Sequence, residues 1–374
     1  TLFKTKPHRL CHFIAIELHN HVFNSMKPEI RLTEFSIGGG CGCKIAPDVL
    51  AQLLESDETI PLFEDLVIGN SDNDDAAVYD FGDGRGIVST TDFFTPIVDD
   101  PFDFGRIAAT NALSDVYAMG ALPMMAIAIF GWPTDHIPVP IGQKVIEGGR
   151  FVCHKAGVPL AGGHSISSQE PIFGLAVTGS LTLANLKRNS GAKVGDLLFL
   201  TKPLGIGILT TAEKRKILKP AHRHLALECM LQLNDVGYKL GKLPGVTAMT
   251  DVTGFGLLGH MIELCRASKV ATELDMTAVP IIDPSVTHYC ELGAVPGGSD
   301  RNWRSYRESV SGCSKISHRQ VLCDPQTSGG LLISVDKKSA QAVVDILSDH
   351  NLGHHAFAEL LPHQSGEPYV KVLG

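Results

Sequence analysis

Runs with helical periodicity alternate with short apolar runs of strand character along most of the chain. That alternation confines it to a mixed α/β (α+β) architecture. Ile87–Thr91 reads as a strand, Phe104–Met119 as a helix, Met124–Phe130 as a buried strand, Val139–Ala156 as a helix and Ile172–Ser180 as another strand. The polar, basic stretch Leu186 to Gly195 carries two glycines and suits a seam between domains. A second round follows with strand Leu197–Thr201, helices near Ile206–Arg215 and His222–Leu240, strand Val246–Thr250, helix Gly256–Ser268, strand Leu331–Val335 and helix Ser339–Ser348. Pro296–Ser317, rich in Gly, Ser and Arg, reads as a surface loop. A chain of 374 residues is long for one core, so two domains of similar size are expected.

Bulk properties exclude several functions. A net charge of −8 argues against a nucleic-acid binder, which would need a basic face. The longest apolar run, about Pro123 to Trp132, is far short of the roughly 20 residues that span a bilayer. The expectation is a soluble, cytoplasmic protein. The nine cysteines are an odd number, mostly scattered, with no CxxC pair, which fits a reducing compartment and disfavours a four-cysteine zinc site. Cys229 and Cys265 lie in helical runs and read as small core residues. Residues 1–25 hold Lys4, Lys6, Arg9 and four histidines but one acid, Glu17. Residues 1–26 are therefore expected to be an extension, disordered or non-native, ending at Met26.

The most reactive stretch is Gly38-Gly39-Gly40-Cys41-Gly42-Cys43-Lys44. Its glycines suit a mobile loop, spanning about residues 36–48, that closes over something reactive. Lys44 favours thiolate at either cysteine by charge pairing. A thiolate is a soft ligand and a strong nucleophile, so the customer is sulfur-like, selenium-like, an electrophilic carbon or a soft metal.

A set of carboxylates suggests a harder partner. Asp72, Asp74 and Asp75 crowd a turn before Ala76-Ala77-Val78; Asp92 and Asp251 each end a strand. Asn111 and Asp115 fall one helical turn apart on one face. Singly, each strand-end Asp is as readily an N-cap, and an acidic turn is as readily just solvated. Asp115 is harder to explain by propensity, because it lies mid-helix between Leu113 and Val116. Together the set suits Mg²⁺ held against phosphate oxygens.

Three glycine clusters, Ala161-Gly162-Gly163-His164-Ser165, Asp251 to His260 and Pro325-Gln326-Thr327-Ser328-Gly329-Gly330, present backbone N–H groups as anion-binding loops do. Gly254 to Gly259 reads GxGxxG, but only Asp275 falls, loosely, where a ribose-binding acid belongs, and there is no GxxxxGK[ST]. His164 and His260 read as structural or loop-anchoring.

In order along the chain, Arg31-Leu32-Thr33, Gly40 to Ile45, Asn73 to Tyr79, Ser89 to Phe94, Pro101 to Ala112, Leu160 to Ser165, Met249 to His260 and Leu322 to Gly330 resemble the selenophosphate synthetases (selenide, water dikinases). These sit within the aminoimidazole-ribonucleotide-synthetase-like superfamily. The resemblance runs from Lys27 to the C-terminus; Cys-Gly-Cys-Lys is its most specific part, while the aspartate and glycine motifs recur across the superfamily. It implies a two-domain subunit with an ATP/Mg-binding and dimerisation domain over 27–185 and a second α/β domain over 186–374. It further implies a homodimer pairing through the N-terminal sheets, with the nucleotide near that interface. The implied reaction converts ATP, selenide and water to selenophosphate, AMP and phosphate. Residue by residue, Cys41 would handle the selenium donor and Lys44 would contact phosphates. Asp75, Asp92, Asp115 and Asp251 would ligate Mg²⁺, with Asn111 as helper. Thr91, Asp92, Asp115, Gly162, Gly163, His164 and Ser165 would join Lys44 in nucleotide binding. A selenium-delivery protein is a further implied partner. The rival readings are another ATP-dependent enzyme of the superfamily acting on a purine or thiamine precursor and, in a different class, a dithiol redox or soft-metal-binding protein. The first does not need Cys-Gly-Cys-Lys; the second leaves the aspartates and glycine loops unexplained.

Overall fold

Two sheets and one shared helix position everything that follows. The computed structural model describes residues 30–36, 38–45, 47–54, 63–69 and 74–374. The 1–26 extension and Asp72 lie outside the described residues. Leu32–Gly374 forms one compact unit.

The first sheet is built from β1 (Leu66–Ile68), β2 (Ala77–Asp80), β3 (Arg85–Phe94), β4 (Leu122–Trp132), β5 (Leu160–Ser167) and β6 (Ile172–Thr182), in the order β1-β2-β3-β6-β4-β5. All its pairings are antiparallel except β4 with β5. Helices Pro101–Ala118 and Val139–Lys155 cover one face. They cross where Gly105 meets Gly148: a Cβ on Gly105 would sit 1.9 Å from the Val145 carbonyl oxygen, and one on Gly148 would sit 2.1 Å from that of Phe102. Only glycines permit so close a crossing. On the other face Tyr79, Phe93, Leu122, Met125 and Ile127 are all exposed. The apolar run at β4 is thus not the buried strand expected from its composition. Alternation sends Leu122, Met125 and Ile127 outward, where strand registry lines them up with Ser180, Thr178 and Ala176 of β6.

The second sheet comprises β7 (Leu197–Leu200), β8 (Val246–Asp251), β9 (Val270–Asp275), β10 (Val310–Ser311), β11 (Leu331–Val335), β12 (Ala356–Pro362) and β13 (Val370–Leu373), in the order β10-β13-β9-β12-β7-β11-β8. Its core gathers Phe199, Val246, Met249, Leu331, Ile333 and Val335 under Val236, Leu240, Val343 and Leu347.

Helix Pro101–Ala118 belongs to both halves. It starts sharply, with Asp100 accepting from the Asp103 N–H and proline in the first turn. It is buried nearly all round, which explains its weak amphipathic pattern. Its last residue, Ala118, packs in the core of the second sheet. Asn234 donates to Ser114 Oγ across the boundary at 2.8 Å.

Some expectations shift. His222–Leu240 is two helices, Arg223–Leu231 and Val236–Gly241, broken where Asn234 turns inward to Ser114. Pro296–Ser317 is not one surface loop, because Gly297–Tyr306 is a helix whose Asn302 and Tyr306 are buried. Packing there overrides a composition poor in helix formers. Ala161–Ser165 is not a loop; it lies in β5, hydrogen-bonded beside β4. Among the described residues, no helix is long and apolar enough to cross a membrane.

Candidate active site

On β3, Thr90 and Asp92 share the face that looks toward helix Pro101–Ala118, because strand side chains alternate. Two strand residues advance about 6.6 Å, close to the roughly 6 Å rise between helical positions i and i+4. The pair Thr90 and Asp92 therefore matches the pair Asp115 and Asn111. Thr90 Oγ1 donates to Asp115 Oδ2 at 2.6 Å, and Asn111 Nδ2 donates to Asp92 Oδ2 at 2.5 Å.

The second sheet completes the carboxylate set from the end of β8. Thr250 Oγ1 donates to Asp75 Oδ1 at 2.8 Å, and Asp251 is 2% exposed. Asp75 and Asp115 are held well above the usual carboxylate range, first by burial and then by the negative charge of Asp251. Burial lifts Asp251 to about 6, against a hydrogen bond from Ser114. Asp75 Oδ2 and Asp251 Oδ2 are buried oxygens with no protein hydrogen-bond partner. Asp74 stands apart from the set, since its Oδ1 accepts from the Asn189 N–H at 2.7 Å.

The Gly40–Cys43 segment forms a 3₁₀ turn packed over this cluster. Gly40 takes φ +55°, and a Cβ there would lie 2.2 Å from Thr327 Oγ1, so the turn needs glycine. The Cys41 N–H donates to Thr327 Oγ1 at 3.0 Å. Cys41, 1% exposed, donates through Sγ to Asn111 Oδ1 at 3.3 Å. The same Asn111 oxygen accepts from the Ser328 N–H at 2.8 Å. Asn111 thus connects the thiol, Asp92 and the Pro325–Gly330 loop. Lys44 Nζ lies 3.8 Å from Asp92 Oδ2. Its ammonium is held charged well above the ordinary lysine range, chiefly by Asp92, with Cys41, Asp115 and Asp251 adding to the effect.

Of the residues singled out from sequence, Cys41, Lys44, Asp75, Asp92, Asn111, Asp115 and Asp251 converge. Thr91 does not join them; alternation puts it on the open face of the sheet, opposite Ala176. Gly162, Gly163, His164 and Ser165 are exposed on edge strand β5, three strand spacings (roughly 14 Å) from β3. Residues not singled out also matter. Thr90 and Ser114 hydrogen-bond the carboxylates, and the period of two in β3 would have marked Thr90 as the neighbour of Asp92. Lys202, 1% exposed, donates to the Ser328 carbonyl at 2.8 Å and steadies a residue held at φ +52°. No local pattern signalled it.

Behind the thiol turn, the Thr253 N–H donates to His260 Nε2 at 3.1 Å, so the ring proton sits on Nδ1, 3.6 Å from Glu263 Oε2. Burial pushes His260 down to about 3 and Glu263 up to about 7. Tyr306 OH donates to Glu263 Oε1 at 3.2 Å. His260 is therefore a neutral anchor for the Thr253 backbone, as its loop position suggested. The folded protein holds the Glu263 proton more tightly than the unfolded chain does. Glu263's own contribution to stability is therefore present below about 4.5 and lost as pH rises to about 7. Glu263→Gln removes that dependence while keeping an acceptor for Tyr306. Melting temperatures across pH 5 to 8 are expected to show the variant gaining on the parent as pH rises, by on the order of 2 kcal/mol. Parallel curves would contradict this assignment.

Comparisons with known proteins identify the family. Residues 73–181 match the N-terminal domain of AIR synthase related proteins, and residues 193–365 match the C-terminal domain. A selenide, water dikinase of Yersinia pseudotuberculosis is 56% identical over 346 residues, 92% of this chain and 99% of the relative. That of Haemophilus ducreyi is 58% identical over 323 residues, 86% of this chain and 92% of the relative. Among solved structures, thiamine-monophosphate kinase from Stenotrophomonas maltophilia superposes with a TM-score of 0.60 at 18% identity, covering 89% of this chain and 97% of that one. The hydrogenase maturation protein HypE in complex with ATP gives 0.58 at 19%, covering 73% and 76%. The structural neighbours establish the fold, and the sequence relatives narrow the family: the chain belongs to the AIR synthase related proteins and, within them, to the selenide, water dikinases.

Proposed function

We propose that this protein makes selenophosphate from selenide, ATP and water, releasing AMP and phosphate, with Mg²⁺ at the carboxylate cluster. One observation carries the reading. The Cys41 thiol is joined through a single carboxamide, Asn111, to the same aspartate that pairs with Lys44. A soft group for selenium and a hard site for polyphosphate are thereby contiguous, which neither rival reading requires. Two buried carboxylate oxygens without protein partners, among hard oxygens, suit Mg²⁺, although among the described residues no three His, Cys, Asp or Glu side chains already form a metal-holding group. Asp75, Asp92, Asp115 and Asp251 would hold the ion, and when bound it offsets the charge on phosphate oxygens.

The chain's own residues supply the rest. Lys44 stays cationic and stands ready for phosphate oxygens. Cys41, shut away from solvent, holds the donor out of reach of water and oxidants. Positioning and charge compensation are what phosphoryl transfer chiefly needs, and selenide, largely anionic at neutral pH, hardly needs a base. The same reading assigns the first sheet's half, residues 27–185, to ATP and the remainder, 186–374, to closing the site. It also pairs two chains across the open face bearing Leu122, Met125 and Ile127, whose exposure a monomer leaves unexplained. Thr91 and Gly162 to Ser165 lie on that open side or its edge, where a second copy would complete a nucleotide pocket. The seven free, buried cysteines among the described residues favour a reducing cytoplasm.

The test is phosphorus NMR on the full chain with ATP, Mg²⁺ and free selenide. AMP and a phosphorus–selenium species should form together, and both should fail without selenide or Mg²⁺. ADP as the only product, or AMP formation indifferent to selenide, would overturn the proposal. In light scattering the same sample should weigh about twice 40.1 kDa, and a single-chain mass would reject the dimer.

A further inference from the structure

The thiol turn is fastened from a distant part of the chain, the segment whose composition suggested a surface loop. Helix Gly297–Tyr306 reaches the turn with two consecutive side chains. Arg301 Nη2 donates to the Gly42 carbonyl oxygen at 2.7 Å, between the two cysteines of the motif. Asn302, buried beside it, donates to the carbonyls of Gly254 at 2.9 Å and Cys323 at 3.0 Å. Those bonds fix the wall on which the turn rests, because Gly254 lies against the Cys41 carbonyl and Lys44 Cδ. Gly298 sits between Pro325 and the Gly42 carbonyl. The Gly40 N–H donates to the Thr95 carbonyl and the Cys41 N–H to Thr327 Oγ1, so the turn is also tied to the end of β3 and to the Pro325–Gly330 loop. The charge-assisted bond from Arg301 to the Gly42 carbonyl ties the middle of the turn to a separate helix, and bonds to a charged donor are among the stronger ones.

We infer that Arg301 is a positioning residue for the reacting thiol: its guanidinium latches the Gly40–Cys43 turn closed, and its release exposes Cys41. The latch acts on the backbone and touches neither phosphate nor thiol. The neighbouring Arg304 points elsewhere, donating to the Asp300 carbonyl of its own helix, and provides an internal control.

The experiment measures iodoacetamide alkylation of Cys41 in the full chain without substrates, resolved residue by residue with mass spectrometry. A bond to a charged donor is among the stronger ones, so Arg301→Ala should speed Cys41 alkylation roughly tenfold or more. Arg304→Ala should match the parent. Arg301→Lys, which keeps one cationic donor, should fall between. Cys153 and Cys265 are buried away from the turn and should keep their slow rates in every variant. An Arg301→Ala rate equal to the parent's overturns the latch; so does acceleration of all three cysteines together, which would mean general loosening. A second measurement rests on the proposed reaction: Arg301→Ala should raise the KM for selenide at least roughly fivefold, and by more than it raises that for ATP, whose phosphates meet Lys44 at the end of the same turn. If the alkylation result holds while selenide kinetics are absent in the parent, the latch stands and the proposed substrate fails.

Discussion

Cys41→Ser is expected to cut selenide-dependent AMP formation about a thousandfold or more, with ATP-analogue affinity unchanged within about twofold. The substitution is nearly isosteric, and a serine hydroxyl donates to Asn111 Oδ1 as readily as the thiol does at 3.3 Å. The turn should therefore keep its place over the carboxylates. What is lost is the soft, polarisable sulfur; a hydroxyl is a hard, weak nucleophile and does not bind selenium usefully. Because Cys41 is 1% exposed, any defect from misfolding would also lower the melting temperature, so the two measurements separate chemistry from folding. A Cys41→Ser enzyme that retains full activity would remove the thiol from the mechanism.

Asp251→Asn should weaken Mg²⁺-dependent nucleotide binding by about 100-fold, judged from the loss of a direct charged ligand. The carboxylate is nearly inaccessible, and its Oδ2 has no protein partner. It also raises the protonation tendency of Asp75 and Asp115 by charge repulsion. Neutralising it relieves that repulsion, so the metal-free protein should melt no lower than the parent. Loss of nucleotide affinity without loss of fold, read by calorimetric titration with and without Mg²⁺, is the expected pair of results. Unchanged affinity would place the metal elsewhere.

Much of this arrangement is legible before folding. Helix Gly256–Ser268 and strand Leu331–Val335 occur with the bounds that periodicity predicts. Their apolar spacing is strong, and glycine marks their starts. Asn111 and Asp115 share a helix face by spacing alone. The misread stretches share a cause. Gly297–Tyr306 and Leu160–Ser167 have weak local preferences, and each acquires its structure from a neighbour: the helix from its buried Asn302 and Tyr306, the strand from pairing with β4. The resemblance implies Thr91 beside Asp92 in nucleotide binding; the pleat of β3 puts Thr90, not Thr91, on the face of Asp92.

The sequence by itself determined the chemical inventory: a thiol and an ammonium on a glycine-rich turn, acids at strand ends, and a helix carrying Asn111 and Asp115 in register. Tertiary structure decided which of these meet. Thr327 lies 286 positions from Cys41, Thr250 lies 175 from Asp75, and Arg301 lies 259 from Gly42. The physical reason is range. Helix and strand periods report the burial of one face over a few residues, while a hydrogen bond across hundreds of positions follows from how both sheets pack on helix Pro101–Ala118. That shared helix turns the glycine-cysteine turn from a reactive segment into a latched cover over four carboxylates.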